Sequence, residues 1–204
     1  MTSTAIKTVA LRHFAKKGYE GTPLSDIAKD VGIKTPSLYA HFRSKEELFL
    51  SVFQDVLQEH ASRIDQLISS ISHLPIEEKL YTILRDSCEN YLLDEEKITF
   101  LKRAMLFPPA FLQEDLREQF METERVLAGR LSALFASGIQ KGLIRDEPVN
   151  ELLASYLSLL DGCFVQLFYY GRDQFEQRLS CVWRIYWDGI SASKPVATTP
   201  QARS

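Results

Sequence analysis

The sequence is poor in chain breakers, with nine glycines and eight prolines among 204 residues, and its β-branched residues never alternate with polar ones in strand-like runs. Both absences point to an all-α chain. The three cysteines, Cys88, Cys163 and Cys181, lie far apart, without a Cys-x-x-Cys pair or a Cys/His cluster, which argues against a disulfide framework or a zinc site and predicts reduced, buried thiols. No apolar run reaches membrane-spanning length before a charged or strongly polar residue interrupts it, and no cleavable leader opens the chain, so the expectation is a cytoplasmic protein without membrane contact. Nucleophile-elbow, phosphate-loop, zinc-protease and dinucleotide motifs are all missing, and the four histidines (13, 41, 60, 73) stand apart. No catalytic residue, metal or cofactor is expected, and the enzyme reading is set aside.

What is present is a hydrophobic content of 45% and an aromatic content of 11% of the chain, enough for a core, and a modest net charge of −3 that argues against a general nucleic-acid coat. The charge is unevenly spread. Residues 1–47 carry eight bases (Lys7, Arg12, Lys16, Lys17, Lys29, Lys34, Arg43, Lys45) against five acids (Glu20, Asp26, Asp30, Glu46, Glu47), a net of +3 that leaves −6 for the remainder. A basic end on an acidic body suits a specific DNA binder with little affinity for random DNA.

The basic end reads as three helices. Ile6, Val9, Ala10 and Phe14 share one face of the first, and Lys16-Lys17-Gly18 closes it. Thr22 is read as the N-cap of the second, with Pro23 in its first turn, inward Leu24, Ile27, Ala28 and Val31, and Gly32 at the stop. Thr35-Pro36 repeats the cap-then-proline signal for the third, whose inward residues are Leu38 and Phe42. The outer side of that third helix carries Lys34, Thr35, Ser37, Tyr39 and His41, donors and a ring suited to base edges, phosphates and a thymine methyl. His41 either meets a phosphate or packs beside Phe42. Ser44-Lys45-Glu46-Glu47 is a capping box opening a fourth helix, where Ser44 and Lys45 either cap and flank that helix or also hold a backbone phosphate.

Thr22, Asp26-Ile27-Ala28-Lys29, Val31-Gly32, Ser37-Leu38-Tyr39, His41-Phe42 and Ser44-Lys45-Glu46-Glu47-Leu48 together resemble the DNA-binding domain of the TetR family of bacterial transcription regulators. The likeness covers about a quarter of the chain, with Pro36 a departure where a smaller residue is usual. It implies DNA contacts from Thr22, Ser25, Lys34, Thr35, Pro36, Ser37, Tyr39, His41 and Lys45. It also implies a homodimer on a palindromic double-stranded operator, and a C-terminal domain that answers to a small-molecule effector.

The rest of the chain reads as further helices, about nine in all. A long fourth helix runs from Leu48 towards Pro75, a fifth carries Leu80, Ile83, Leu84, Cys88 and Tyr91, and a sixth carries Phe100, Leu101, Ala104 and Met105 before Pro108-Pro109. A seventh follows Phe111 and closes at Gly138 to Gly142, and two more end the fold. Leu153, Tyr156, Leu157 and Leu160 on the eighth and Leu179, Val182, Trp183 and Tyr186 on the ninth form stripes able to pair with a second copy. The aromatic-rich middle, with Cys88, Tyr91, Phe100, Arg103, Met105, Phe107, Phe111, Phe120 and Phe164, is read as a cavity for a lipophilic ligand. Arg103 either pairs an anionic ligand or bridges to Glu124 or Asp86. The division expected is residues 1–47 for DNA binding, 48–190 for ligand binding and dimerisation, and 191–204 as a disordered tail. The function implied is a ligand-released repressor. The alternative is a DNA-binding dimer whose body takes a protein partner or nothing.

Overall fold

A computed structural model of the chain describes residues 3–89 and 94–192. The fold is all-α. Among the described residues its helices are α1 (Ser3–Lys17), α2 (Leu24–Val31), α3 (Thr35–Tyr39), α4 (Lys45–Ser70), α5 (Ile76–Glu89), α6 (Glu95–Leu106), α7 (Gln113–Gln140) and α8 (Val149–Ile190), with a 3₁₀ turn at Ala110–Leu112. Among the described residues no helix is long and apolar enough to cross a membrane.

The described residues form two compact units, one within 1–72 and 86–127 and the other within 73–85 and 128–192. In the first, α1 packs on α2, α4 and α6, and α2 on α3. Ile6, Ala10 and Phe14 of α1 meet Leu24, Ile27, Leu38, Phe42, Leu48 and Phe49 in one apolar core, which continues through Phe53 and Val56 to Phe100, Leu101, Ala104, Leu112 and Leu116. Rings key it together: Phe49 stands edge-on to Phe14 at 4.9 Å and to Phe100 at 5.1 Å between centroids.

In the second unit Tyr156 is fully buried, its hydroxyl donating to the Leu80 carbonyl at 2.7 Å, and Phe135 stands edge-on to it at 5.8 Å. The corner after α7 closes through Gly142, whose φ of 66° is left-handed, and the Leu143 amide donates to the Gly138 carbonyl. Ile144 then folds back so tightly that a Cβ on Gly138 would lie 2.5 Å from its Cδ1. Backbone hydrogen bonds from the Arg145 amide to the Ile190 carbonyl and from the Ala192 amide to the Leu143 carbonyl pin the last described residues to this corner.

Several local expectations are corrected. The cap of α2 is Pro23, because the buried Thr22 hydroxyl turns back to donate to the Gly18 carbonyl at 2.7 Å. The cap of α3 is Lys34, whose carbonyl accepts from the Ser37 amide. The eighth and ninth helices are two segments as expected, but they follow one another directly within α8 and meet at a kink where Gly171 takes φ 71° and ψ 178°. Cys88 and Cys163 are buried as expected, and burial pushes the Cys163 thiol up to about 11, but Cys181 is exposed.

Candidate functional site

The α2–α3 corner is made by Gly32. Its φ of 80° turns the chain, its own amide donates to the Lys29 carbonyl, and Ile33 donates to the Ala28 carbonyl at 2.9 Å. With Leu38 fully buried as the only inward anchor of a five-residue helix, the other side chains of α3 are forced outward. Lys34, Pro36, Ser37, Tyr39 and His41 are all exposed, Tyr39 at 52%, and Thr35 is half-buried. Ser25 is exposed at the start of α2, whereas Thr22 is wholly buried and its hydroxyl already engaged.

Behind this face the chain is tied to the first turn of α4. Ser44 accepts from the Glu47 amide at 3.1 Å, and the Glu47 carboxylate accepts from the Arg43 amide at 2.7 Å, one residue before the usual capping-box donor. Tyr19 donates to Glu46 at 2.7 Å, and burial, then that carboxylate, hold its phenol well above the ordinary range. Hydrogen bonding from Ser44, then from the helix amide and from Tyr19, holds Glu46 below the usual carboxylate value. Lys45 is half-buried, its Nζ 4.2 Å from the centre of the Tyr19 ring, so its charge rests on the corner rather than reaching outward.

Five of the eight cations in residues 1–47 fall into two contrasting groups. Lys7 pairs with Asp55, Arg12 with Glu96 at 3.4 Å and Lys17 with Asp26 at 2.8 Å, so these three clamp α1 to α4, α6 and α2. Lys34 and Arg43, by contrast, have no carboxylate at ion-pair distance among the described residues, and both are exposed beside α3. Sequence reasoning passed over Arg43. The signal was available: a base between the end of α3 and the cap of α4 must lie on the same rim as Lys34.

Of the residues read as cavity lining, Phe100, Arg103 and Phe107 come together around one cleft with the end of α1, and Phe111 stands edge-on to Tyr19 at 5.4 Å. Cys88 is buried, Phe120 packs on the first unit's core, Met105 is 44% exposed, Phe164 belongs to the second unit, and Tyr91 lies outside the described residues. Arg103 makes neither of the bridges considered for it. Asp86 is taken by Arg63, and Arg103 reaches the Lys16 carbonyl at 3.5 Å.

That Arg63–Asp86 pair marks a polar region the sequence did not reveal. Burial, then the Arg63 charge, push the neighbouring His60 imidazole down to about 4, against the opposing pull of Asp86. Arg63 Nη2 and the fully buried Ser87 Oγ have no hydrogen-bond partner among the described residues.

Of the residues read as a pairing surface, Tyr156, Leu179 and Trp183 are spent inside the second unit. Leu153, Leu157 and Leu160 are half-buried, and so is Tyr186, which lies 3.2 Å from the Ser155 hydroxyl; Val182 is at the surface. Among the described side chains, Val165, Tyr169, Tyr170, Val182 and Ile185 are large apolar groups left exposed on α8.

Residues 6–52 match the model of the family described as bacterial regulatory proteins, tetR family. The repressor AcnR of Corynebacterium diphtheriae is 28% identical over 164 residues, which are 78% of this chain and 76% of that one. The uncharacterized regulator YerO of Bacillus subtilis is 26% identical over 140 residues, 67% of this chain but 47% of YerO, so the match spans about half of that relative. In fold, the transcriptional regulator FadR of Bacillus subtilis, solved in complex with stearoyl-CoA, superposes with a TM-score of 0.74 over 93% of this chain and 100% of that one, at 19% identity.

Proposed function

The chain belongs to the TetR family of bacterial regulatory proteins, and from that premise we propose that it is a repressor which reads a palindromic operator as a homodimer and leaves it when a small ligand binds. One observation carries the DNA-binding part. The exposed side of α3 and its rim, Lys34, Ser37, Tyr39, His41 and Arg43, is polar and basic, with no carboxylate at ion-pair distance from Lys34 or Arg43 among the described residues, and is held on a buried core that fixes its direction. The N-terminal half of such a helix enters the major groove, with Lys34 and Arg43 on phosphates and Ser37 and Tyr39 at base edges. In this reading residues 1–47 form the reading head, residues 48–190 the ligand-binding and pairing part, and the second copy docks on the apolar surface of α8 around Val165, Val182 and Ile185.

The effector in this reading is a small, largely apolar molecule with one hydrogen-bonding end. Arg63 and Ser87 supply that end, since each has a buried polar atom without a partner. FadR, which was solved with stearoyl-CoA, is a precedent for an effector with a long apolar part. His60 and Arg63 lie on α4, whose first turn carries the head, so a shift at that level alters the separation of the two reading helices. A ligand moves an equilibrium only by its differential affinity, so operator DNA must weaken ligand binding by the factor by which ligand weakens operator binding.

Selection of bound sequences from random double-stranded DNA tests the head and the dimer together. The expected result is a palindrome with half-sites about one helical turn, ~34 Å, apart. Recovery of no motif, or of an unpaired one, would count against the reading. For the effector, a melting screen of apolar carboxylates and amides is expected to raise the transition by mass action and to release the selected operator.

A further inference from the structure

A cleft of about 590 Å³ opens in the first unit between the end of α1 and the end of α6, within the size range of small-molecule sites. Its floor is aromatic, from Phe14, Phe49 and Phe100, and its rim carries Tyr19, Phe107, Pro108 and Pro109. The apolar rim is conspicuous because Phe107 is 81% exposed with no side chain covering it. Pro108-Pro109 ends α6 at Leu106, so Phe107 leaves the helical register that would have turned it inward.

The charge in the cleft is also unspent. Arg103 lines it, lies exposed, and among the described residues its guanidinium donates only to the Lys16 carbonyl, at a long 3.5 Å. No carboxylate stands at ion-pair distance from its guanidinium among the described residues. Gly18 makes room for it: a Cβ there would come within 3.0 Å of Arg103 Nη1, on a backbone already at φ 72°. Lys17 also lines the cleft but is paired with Asp26, and the acid present, Glu20, makes no ion pair among the described residues and acts on the Tyr19 side. One unpaired guanidinium beside a bed of rings is complementary to a flat molecule with a single negative end.

We infer that the α1–α6 cleft is a binding site for an aromatic monocarboxylate, its carboxylate taken by Arg103 and its ring system laid among Phe100, Phe107 and Tyr19. The site is separate from the Arg63–Ser87 region and does not depend on the operator reading. Its walls belong to α1 and to α6, so an occupant bridges the head to the helix behind it and holds the two in the arrangement described here.

Calorimetric titration of the full chain with 1-naphthoate, and with the neutral 1-naphthamide, tests this. Naphthoate is expected to bind at one site, and Arg103→Gln to weaken it about tenfold, the scale of a charge-assisted hydrogen bond at a half-open site. Naphthamide is expected to bind more weakly and to be indifferent to Arg103→Gln, while Phe107→Ala weakens both compounds. Both substituted side chains are exposed, so wild-type melting is expected; should Arg103→Gln melt early, Phe107→Ala still reports on the cleft. Absence of saturable naphthoate binding, or wild-type affinity in Phe107→Ala or in a folded Arg103→Gln, overturns the assignment.

Discussion

Replacing Lys34 with alanine is the sharpest probe of the reading face. Lys34 is exposed, caps α3 through its backbone alone, and has no ion pair among the described residues, so the folded state loses nothing when its side chain is cut back. The melting transition is expected to stay within ~0.5 kcal/mol of wild type. Binding is a different matter. Each phosphate neutralised by a lysine contributes about 0.9 to the slope of log affinity against log salt, and a two-fold dimer loses two such contacts, so the slope is expected to fall by about 1.8. Between about 50 and 200 mM salt, a fourfold change, wild type then loses roughly twelvefold more affinity than the variant. Fluorescence anisotropy with a labelled selected operator, run across that salt series, reads both numbers. If Lys34 instead reads a guanine, the slope changes less and the loss, about 1–3 kcal/mol per half-site, is confined to the cognate sequence. Unchanged affinity together with an unchanged slope refutes the placement of α3 on DNA.

Ser44→Ala removes the acceptor of the Glu47 amide, and is expected to cost about 1 kcal/mol in chemical denaturation; a cost below experimental error contradicts the cap. His60 has its folded value lowered to about 4 from 6.5, so the folded state resists protonation that the unfolded chain accepts. Its contribution to stability is therefore full above pH 6.5 and shrinks as pH falls towards 4, and His60→Gln is expected to flatten the decline of melting temperature across that window. Parallel curves for variant and wild type would remove His60 from the account. Gly138→Ala sets a helix-propensity gain of about 1 kcal/mol against an overpacking cost of about 1–3 kcal/mol where the new Cβ meets Ile144. The variant is expected to melt lower, and Gly138→Ala with Ile144→Val to recover part of the loss.

Much of this molecule was legible in its sequence because the signals were local. The apolar spacing from Ile6 to Phe14, the left-handed glycines at 18, 32 and 142, and the Ser44 cap each depend on residues a few positions apart, and each appears where the spacing requires it. Signals that admit two local solutions were misread. Thr22 can cap forward or bond back to Gly18, and packing of the corner chose the second. Phe100, Arg103 and Phe107 do line one cleft, but composition does not say which aromatics share it: Phe120 packs on the core and Phe164 lies in the other unit. Pairings across long separations left no trace at all: Arg63 meets Asp86 from 23 residues away, and Arg103 lies 87 residues from the Lys16 carbonyl.

The long-range packing also changes how a signal can reach the DNA. A lever made of α4 alone requires a head free to swing on it, yet the core that seats α1 runs without interruption into Phe100, Leu101 and Ala104 of α6. The clamps Lys7–Asp55 and Arg12–Glu96 draw α1 to both helices, but exposed pairs of this kind are worth at most about 1 kcal/mol each. The apolar contact therefore does the holding, and close-packed interiors shift between discrete packings rather than bending. Reorienting the reading face then means repacking Phe14 against Phe49 and Phe100 as a set, so α6 must move with α4. On the proposed function, the α1–α6 contact is then the point at which operator affinity is open to control, with Arg103 and Phe107 at its edge.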